Sequence, residues 1–294
     1  MQPDIRPRRS LLYMPGSNAR ALEKAKTLPA DGLILDLEDA VAPDAKEQAR
    51  AQVAAAVRSG GYGHRELVIR VNGLDTPWGE EDVRAAASAG PDAILLPKVE
   101  DAAQVSRLDR LMRAAGAPEH CTIWCMLETP RGILRAEEIA GALARVAVLV
   151  MGTSDLAKDL HARHTALRLP MLTALSHCLL AARAHGKAIL DGVHLDLADA
   201  EGFRAACRQG LELGFDGKTL IHPSQVEPCN EVFAPDTAEV AQARRIADAF
   251  AAASAEGKGV VLVDGRLVEN LHVEHARRTL ALAAAIAARS GSGA

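Results

Sequence analysis

Eight short apolar runs recur along the chain, at residues 11–14, 33–37, 67–71, 93–96, 122–127, 146–151, 188–190 and 219–221, and most end in polar or acidic residues that a packed core rejects. Asp36, Glu38 and Asp39 close the second run and Arg70 the third; Glu128 closes the fifth and Gly152-Thr153-Ser154-Asp155 the sixth. A strand that runs out of hydrophobicity into a carboxylate or a guanidinium is building a site at that end. Alanine-rich stretches of helical period fill the intervals, at 19–27, 44–58, 79–89, 102–115, 135–143, 170–185 and 199–213. Asp44 suits a cap and Pro170 a first helical turn, while Gly60-Gly61, Gly90-Pro91, Gly116 and Gly214 mark helix ends. Strand and helix alternate through residue 222, which calls for parallel strands joined by right-handed crossovers.

Eight such units predict an α/β chain whose residues 1–230 close into a (β/α)8 TIM barrel, with the active site at the C-terminal ends of the strands. The rival is an open doubly wound sheet, but no glycine fingerprint follows the first run. Residues 231–294 break the rhythm and form a C-terminal helical and hairpin extension. Helices are expected at 236–255 and 273–288, with a turn at Asp264-Gly265 after the apolar 260–263. This extension packs on the barrel or reaches across a subunit interface.

Composition removes several classes of function. Aromatic residues make up 3% of the chain, too few for a base-stacking platform, and the net charge of −4 leaves no basic footprint, so nucleic acid is not an expected partner. No apolar stretch approaches the ~18 residues of a membrane span. The basic N-terminus, residues 1–10, leads into no long apolar region and does not read as a secretory signal. Five cysteines, an odd count without zinc spacing, read as incidental thiols in a cytoplasmic protein.

Glu128 and Asp155 are the leading chemical candidates. Adjacent barrel strands lie ~4.8 Å apart, so acids at the mouths of strands five and six can share one ion. Two carboxylates, with other positions left to water and substrate, suit Mg2+, with Mn2+ as its substitute. The competing reading is that each acid merely caps the helix after it. Arg70 offers a planar fork to a carboxylate or a developing oxyanion, or else forms an ion pair in the barrel mouth. Asp36, Glu38 and Asp39 would repel one another without a cation and are expected to support the metal site from behind. Lys98 is a supporting cation, as an ion-pair partner or, less in keeping with its neighbour Glu100, a Schiff-base lysine. His161 with His164, and His272 with His275, have helix-face spacing and are expected at the surface, while His222 lines the mouth.

Pro15-Gly16-Ser17, Ile34-Leu35-Asp36-Leu37-Glu38-Asp39-Ala40-Val41, the Arg70 segment and Pro97-Lys98-Val99-Glu100 occur in one order with Glu128-Thr129-Pro130, Gly152-Thr153-Ser154-Asp155-Leu156, Gly214-Phe215-Asp216-Gly217-Lys218 and Ile221-His222-Pro223. In these motifs the chain resembles the citrate lyase β-subunit-like enzymes of the HpcH/HpaI aldolase superfamily, across nearly its whole length. The resemblance implies Mg2+ held by Glu128 and Asp155, with Ser154 and Arg70 beside the substrate. It implies Tyr13 and Lys24 at coenzyme A, with Asn18 standing where some relatives carry a basic residue and Arg20 available to compensate. It implies a homotrimer or hexamer in which Glu269, where the family usually has Asp, is the catalytic acid across the interface.

The expected activity is cleavage or Claisen formation of a 3-hydroxyacyl-CoA, such as malyl-CoA or citramalyl-CoA. The products are acetyl-CoA and a 2-oxo acid, glyoxylate or pyruvate, with Arg70 stabilising the enolate oxygen and Glu269 protonating its carbon. Hydrolysis of malyl-CoA on the same site is the alternative. A citrate lyase β subunit acting on a carrier-bound acyl group is a third reading.

Overall fold

The structure, a computed structural model, describes residues 5–290; the outermost residues of the two expected domains lie outside the described residues. Strands β1 (Ser10–Pro15), β2 (Gly32–Asp36), β3 (Glu66–Arg70), β4 (Ala93–Leu96), β5 (Thr122–Leu127), β6 (Val146–Met151), β7 (Ala188–Asp191) and β8 (Gly217–Leu220) are parallel, each bonded to the next, and β8 closes on β1. The chain therefore forms the (β/α)8 barrel. Its strands are buried on both faces, which is why they read as continuous apolar runs rather than alternating ones. Leu11, Ile34, Val68, Trp124, Met126 and Val150 belong to its core cluster. Each buried aliphatic side chain contributes roughly 1.5–3 kcal/mol relative to exposure.

The N-terminal rim is stitched by a repeated device. Asp31, Asp92 and Asp216 stand just before β2, β4 and β8, and each carboxylate accepts a backbone N–H at the start of a neighbouring strand, from Arg9, Leu67 and Ile189 at 2.8–2.9 Å. In barrels of this kind that rim serves stability, and active sites lie at the strand ends opposite it.

Helices α1 (Ala19–Ala25), α2 (Lys46–Ser59), α3 (Gly79–Ala89), α4 (Ala102–Ala114), α5 (Pro130–Leu134), α6 (Ala136–Gly141), α7 (Thr153–Asp159), α8 (Leu172–Ala184), α9 (Ala200–Leu213) and α10 (Val226–Phe233) connect and follow the strands. Three of them, α5, α7 and α10, are absent from the sequence expectation. The first two are too short to display a period, and α10 carries Pro228 in its first turn, where proline costs no hydrogen bond. The segment after α7 is irregular, so His161 and His164 share no helix face, contrary to expectation. Ile221, expected in the eighth strand, lies beyond β8 and is 38% exposed.

The described residues divide into two compact units, Arg8–Asn230 and the residues from Glu231 onward with those before Arg8. In the second unit, α11 (Thr237–Ala255) starts at an Asp236–Glu239 capping box. Strands β9 (Val261–Val263) and β10 (Arg266–Val268) pair antiparallel through Asp264 and Gly265, both with positive φ, as a two-residue hairpin turn requires. Val263 and Val268 pack with Val273 of α12 (Asn270–Ser290). Among the described residues no helix is long and apolar enough to cross a membrane.

Candidate active site at the barrel mouth

The register of the sheet builds the mouth rung by rung. Asp36 at the end of β2 stands directly opposite Arg70 at the end of β3. The guanidinium meets the carboxylate fork to fork, Nε and Nη2 each 2.6 Å from an Asp36 oxygen. Those oxygens also accept the backbone N–H groups of Glu38 and Ala40. Arg70 Nη1 donates to Asp39 at 3.4 Å and stands 2.9 Å from Glu38 Oε2, an ion pair whose angle makes no hydrogen bond. Tyr13 of β1 lies beneath, with the guanidinium carbon 4.8 Å from its ring centroid. Of the two readings the sequence left open for Arg70, the ion pair is the arrangement found. The turn after β2 is held by Lys46, whose ammonium donates to the carbonyls of Leu37 and Glu38.

Glu128, just past β5, is buried. Its Oε1 accepts the backbone N–H of Lys98 at 2.9 Å, and its Oε2 receives no hydrogen bond from the described residues. A Cβ on Gly152 would sit 2.3 Å from that Oε2, so the end of β6 must be glycine for Glu128 to occupy its place. Burial, then the nearby Glu38 charge, pushes the Glu128 carboxyl up to about 8 despite Lys98, and Asp155 adds to the rise. Asp155 and Ser154 occupy the first turn of α7, where the Ser154 hydroxyl is buried without a hydrogen-bond partner.

Lys98 follows β4 in the left-handed region, φ 51°. Its ammonium lies 2.6 Å from Glu38 Oε1 and 3.6 Å from Asp155 Oδ2. Burial opposes the Lys98 charge, but the Glu38 carboxylate outweighs it and holds the group above its ordinary value. Of the two roles the sequence offers for Lys98, the ion pair is the one present.

The structure thus brings Tyr13, Asp36, Glu38, Asp39, Arg70, Lys98, Glu128, Ser154 and Asp155 to one mouth. Lys24 is exposed in the last turn of α1 and joins none of these contacts. Asn18, at the position where some relatives carry a basic residue, is spent on capping α1. His222 turns Nδ1 onto Ser224 at the start of a 3-10 turn and is occupied as a cap. Glu269 belongs to the second unit, where it is exposed and its N–H donates to His272 Nδ1.

One cluster escaped sequence reasoning. Asp191 of β7 faces Lys218 of β8 in register, accepts its ammonium at 2.8 Å and takes Arg168 on both oxygens at 2.7 Å, all three buried or nearly so. The available signal was an acid ending the seventh apolar run and a lysine beginning the eighth.

Glu128 and Asp155 fit a hard divalent cation. Both donate oxygen, the Oε2 of Glu128 is without a hydrogen bond, and the raised Glu128 carboxyl is one that an added positive charge would ionise. Among the described residues no three His, Cys, Asp or Glu side chains form a closed cage, so the remaining positions fall to water and substrate, as Mg2+ prefers.

Comparison with known proteins gives the geometry its relatives. The family model for HpcH/HpaI aldolase/citrate lyase matches residues 9–223. A (3S)-malyl-CoA thioesterase of Cereibacter sphaeroides is 53% identical over 282 residues, covering 96% of each chain. An L-malyl-CoA/beta-methylmalyl-CoA lyase of the same species is 37% identical, over 93% of this chain and 94% of its own. The structure of CitE from Mycobacterium tuberculosis in complex with magnesium, acetoacetate and coenzyme A superposes with a TM-score of 0.75 at 32% identity, covering 94% of this chain and 97% of that one.

Proposed function

The chain belongs to the HpcH/HpaI aldolase/citrate lyase family, and from that premise we propose that it is a magnesium-dependent thioesterase that hydrolyses malyl-CoA to malate and free CoA. The observation that carries this reading is the 53% identity, across 96% of both chains, to a (3S)-malyl-CoA thioesterase. The sequence alone favoured C–C cleavage and kept hydrolysis as its alternative; the comparisons support the alternative more strongly.

Mg2+, or Mn2+ in its place, held by Glu128 and Asp155, supplies Lewis-acid charge and a template for the oxygens of the malyl group. Magnesium in the solved CitE complex supports that assignment. Ser154, with its buried hydroxyl unspent, donates to the substrate carboxylate. Asp36, Glu38 and Asp39 hold Arg70 and Lys98, fixing the electrostatics around the acyl group. Hydrolysis forms no carbanion, so it needs no acid at the carbon that an enolate would present. A glutamate at 269 in place of the family's usual aspartate is tolerable on that account.

The lyase reading retains one observation in its favour, the 37% identity to an L-malyl-CoA/beta-methylmalyl-CoA lyase. A mass-resolved product assay on malyl-CoA with Mg2+ separates the two. Free CoA with malate is expected, activity is lost in EDTA, and Mn2+ restores it. Acetyl-CoA with glyoxylate as the main products would overturn the reading.

A further inference from the structure

Helix α7 carries Ser154 and Asp155 in its first turn, and the peptide that leads into it is gripped from both sides. On the β5 side a Cβ on Gly152 would sit 2.3 Å from Glu128 Oε2 and 2.4 Å from the Glu128 Cβ. On the β7 side a Cβ on Gly192 would sit 2.4 Å from Thr153 Oγ1 and 2.9 Å from the Met151 carbonyl oxygen. Neither approach leaves room for a side chain, so glycine is required at both points. The place of Ser154 and Asp155 therefore depends on where Gly192 is held.

Gly192 is held by the buried ionic cluster. Its N–H donates to Asp191 Oδ1 at 2.8 Å. The same carboxylate, 0% exposed, takes Lys218 at 2.8 Å and Arg168 Nη1 on both oxygens at 2.7 Å. The Asp191 carbonyl accepts the Thr219 hydroxyl at 3.2 Å. Buried ion clusters commonly add little stability over apolar packing, and a fixed geometry is what some of them supply instead. Arg168 comes from the segment that follows α7. Its neighbours Leu167 and Leu169 are exposed, whereas its own side chain is 14% exposed and also reaches Gln209 and the Ala206 carbonyl of α9. Its φ of 52° is one that a non-glycine residue seldom adopts, and strain of that kind persists where the surroundings over-determine it. No step of the proposed reaction uses this cluster.

We infer that Arg168 is a positioning residue for the metal site: by fixing Asp191 and, through it, Gly192, it sets the first turn of α7 and with it Asp155 and Ser154. The inference rests on the metal assignment made above, and it holds whether the acyl-CoA is hydrolysed or cleaved. A single nitrogen, Nη1, makes both contacts with Asp191, so a lysine ammonium can stand in for it there. The bonds to Gln209 and Ala206 need the whole guanidinium.

The test reads Mn2+ affinity by calorimetry and the melting temperature of the same samples. It compares wild type with Asp155→Ala, Arg168→Met, Arg168→Lys and Gly192→Ala. Arg168→Met is expected to weaken Mn2+ binding about 10- to 100-fold. Arg168→Lys is expected to stay within about threefold of wild type, although both variants melt lower. Gly192→Ala leaves the ionic cluster intact and is expected to weaken Mn2+ by about tenfold or more, which keeps the question open to measurement if Arg168→Met does not fold. Wild-type affinity in folded Arg168→Met, or in Gly192→Ala, overturns the inference and makes the cluster a stability device alone. Equal losses in Arg168→Met and Arg168→Lys overturn it too, because affinity would then follow stability rather than the Asp191 contact. A wild-type chain that binds no Mn2+, or an Asp155→Ala variant that binds it as wild type does, overturns the metal assignment, and this inference with it.

Discussion

Replacing Arg70 by lysine separates a clamp from a catalyst. In the structure its two 2.6 Å bonds grip both oxygens of Asp36, and its plane covers the Tyr13 ring at 4.8 Å. A lysine keeps the charge but makes a point contact, so one charge-assisted hydrogen bond and the planar stack are lost. The first is worth about 1.5–3 kcal/mol and the second about 0.5–1 kcal/mol. A loss of about 2–4 kcal/mol lowers the melting temperature by roughly 3–6 °C in a chain of this size. Arg70→Met must cost more, about 3–5 kcal/mol, because it leaves the buried Asp36 carboxylate without its cation. Differential scanning calorimetry reads both, and kcat for CoA release is measured on the same samples below their melting range. Arg70→Lys is expected to lose stability first and no more than about tenfold in kcat. A melting temperature within about 2 °C of wild type, with kcat down on the order of 100-fold, would refute the clamp. It would return Arg70 to the oxyanion role that the sequence suggests.

Gly152→Ala places a methyl group 2.3 Å from Glu128 Oε2 and must displace that carboxylate. Mn2+ binding by calorimetry should weaken about 10- to 100-fold, and unaltered affinity would remove Glu128 from the metal site. Asp191→Asn leaves Lys218 and Arg168 buried without their anion, at a cost of about 3–5 kcal/mol near neutral pH. Burial alone would raise the Asp191 carboxyl, but Lys218 and Arg168 outweigh it and hold it below its ordinary value. Its stabilisation is therefore complete above the ordinary aspartate range near ~3.9 and fades as pH falls through the lower folded value. Urea midpoints of wild type and variant should converge in acid, and a constant gap would contradict this linkage. The five cysteines are all buried, so Ellman's reagent should label none promptly in the native chain and all five in guanidinium. A fast native thiol would show that a helix layer opens.

Strand period carried the barrel into view. Runs of four to six residues buried on both faces leave a continuous apolar signature, and the sequence reading placed most of them within a residue or two. The Asp264-Gly265 hairpin was equally legible, because its two positive φ angles leave few residues to choose from. Short helices were not: five residues in α5 and seven in α7 span less than two turns of periodicity. The acids of the mouth were visible as a list, since carboxylates have no business at the end of a core strand. Their partners were not. Which cation meets which acid depends on register and on loop direction, and a single chain carries neither until the barrel closes.

Register also explains why Arg70 and Lys218 pair within the sheet while Lys98 pairs with a loop acid. Arg70 and Lys218 lie inside strands, and each faces an acid on the neighbouring strand at the same rung, Asp36 and Asp191. Closure of the barrel forces those pairs together, whatever chemistry the mouth performs. Lys98 lies two residues past β4, outside the ladder, and has no rung partner; its one bond, to Glu38, comes from a loop. The acids of the mouth are Asp36, Glu38, Asp39, Glu128 and Asp155, five carboxylates against the three cations Arg70, Lys98 and Lys46, a formal deficit of two positive charges that a divalent ion closes.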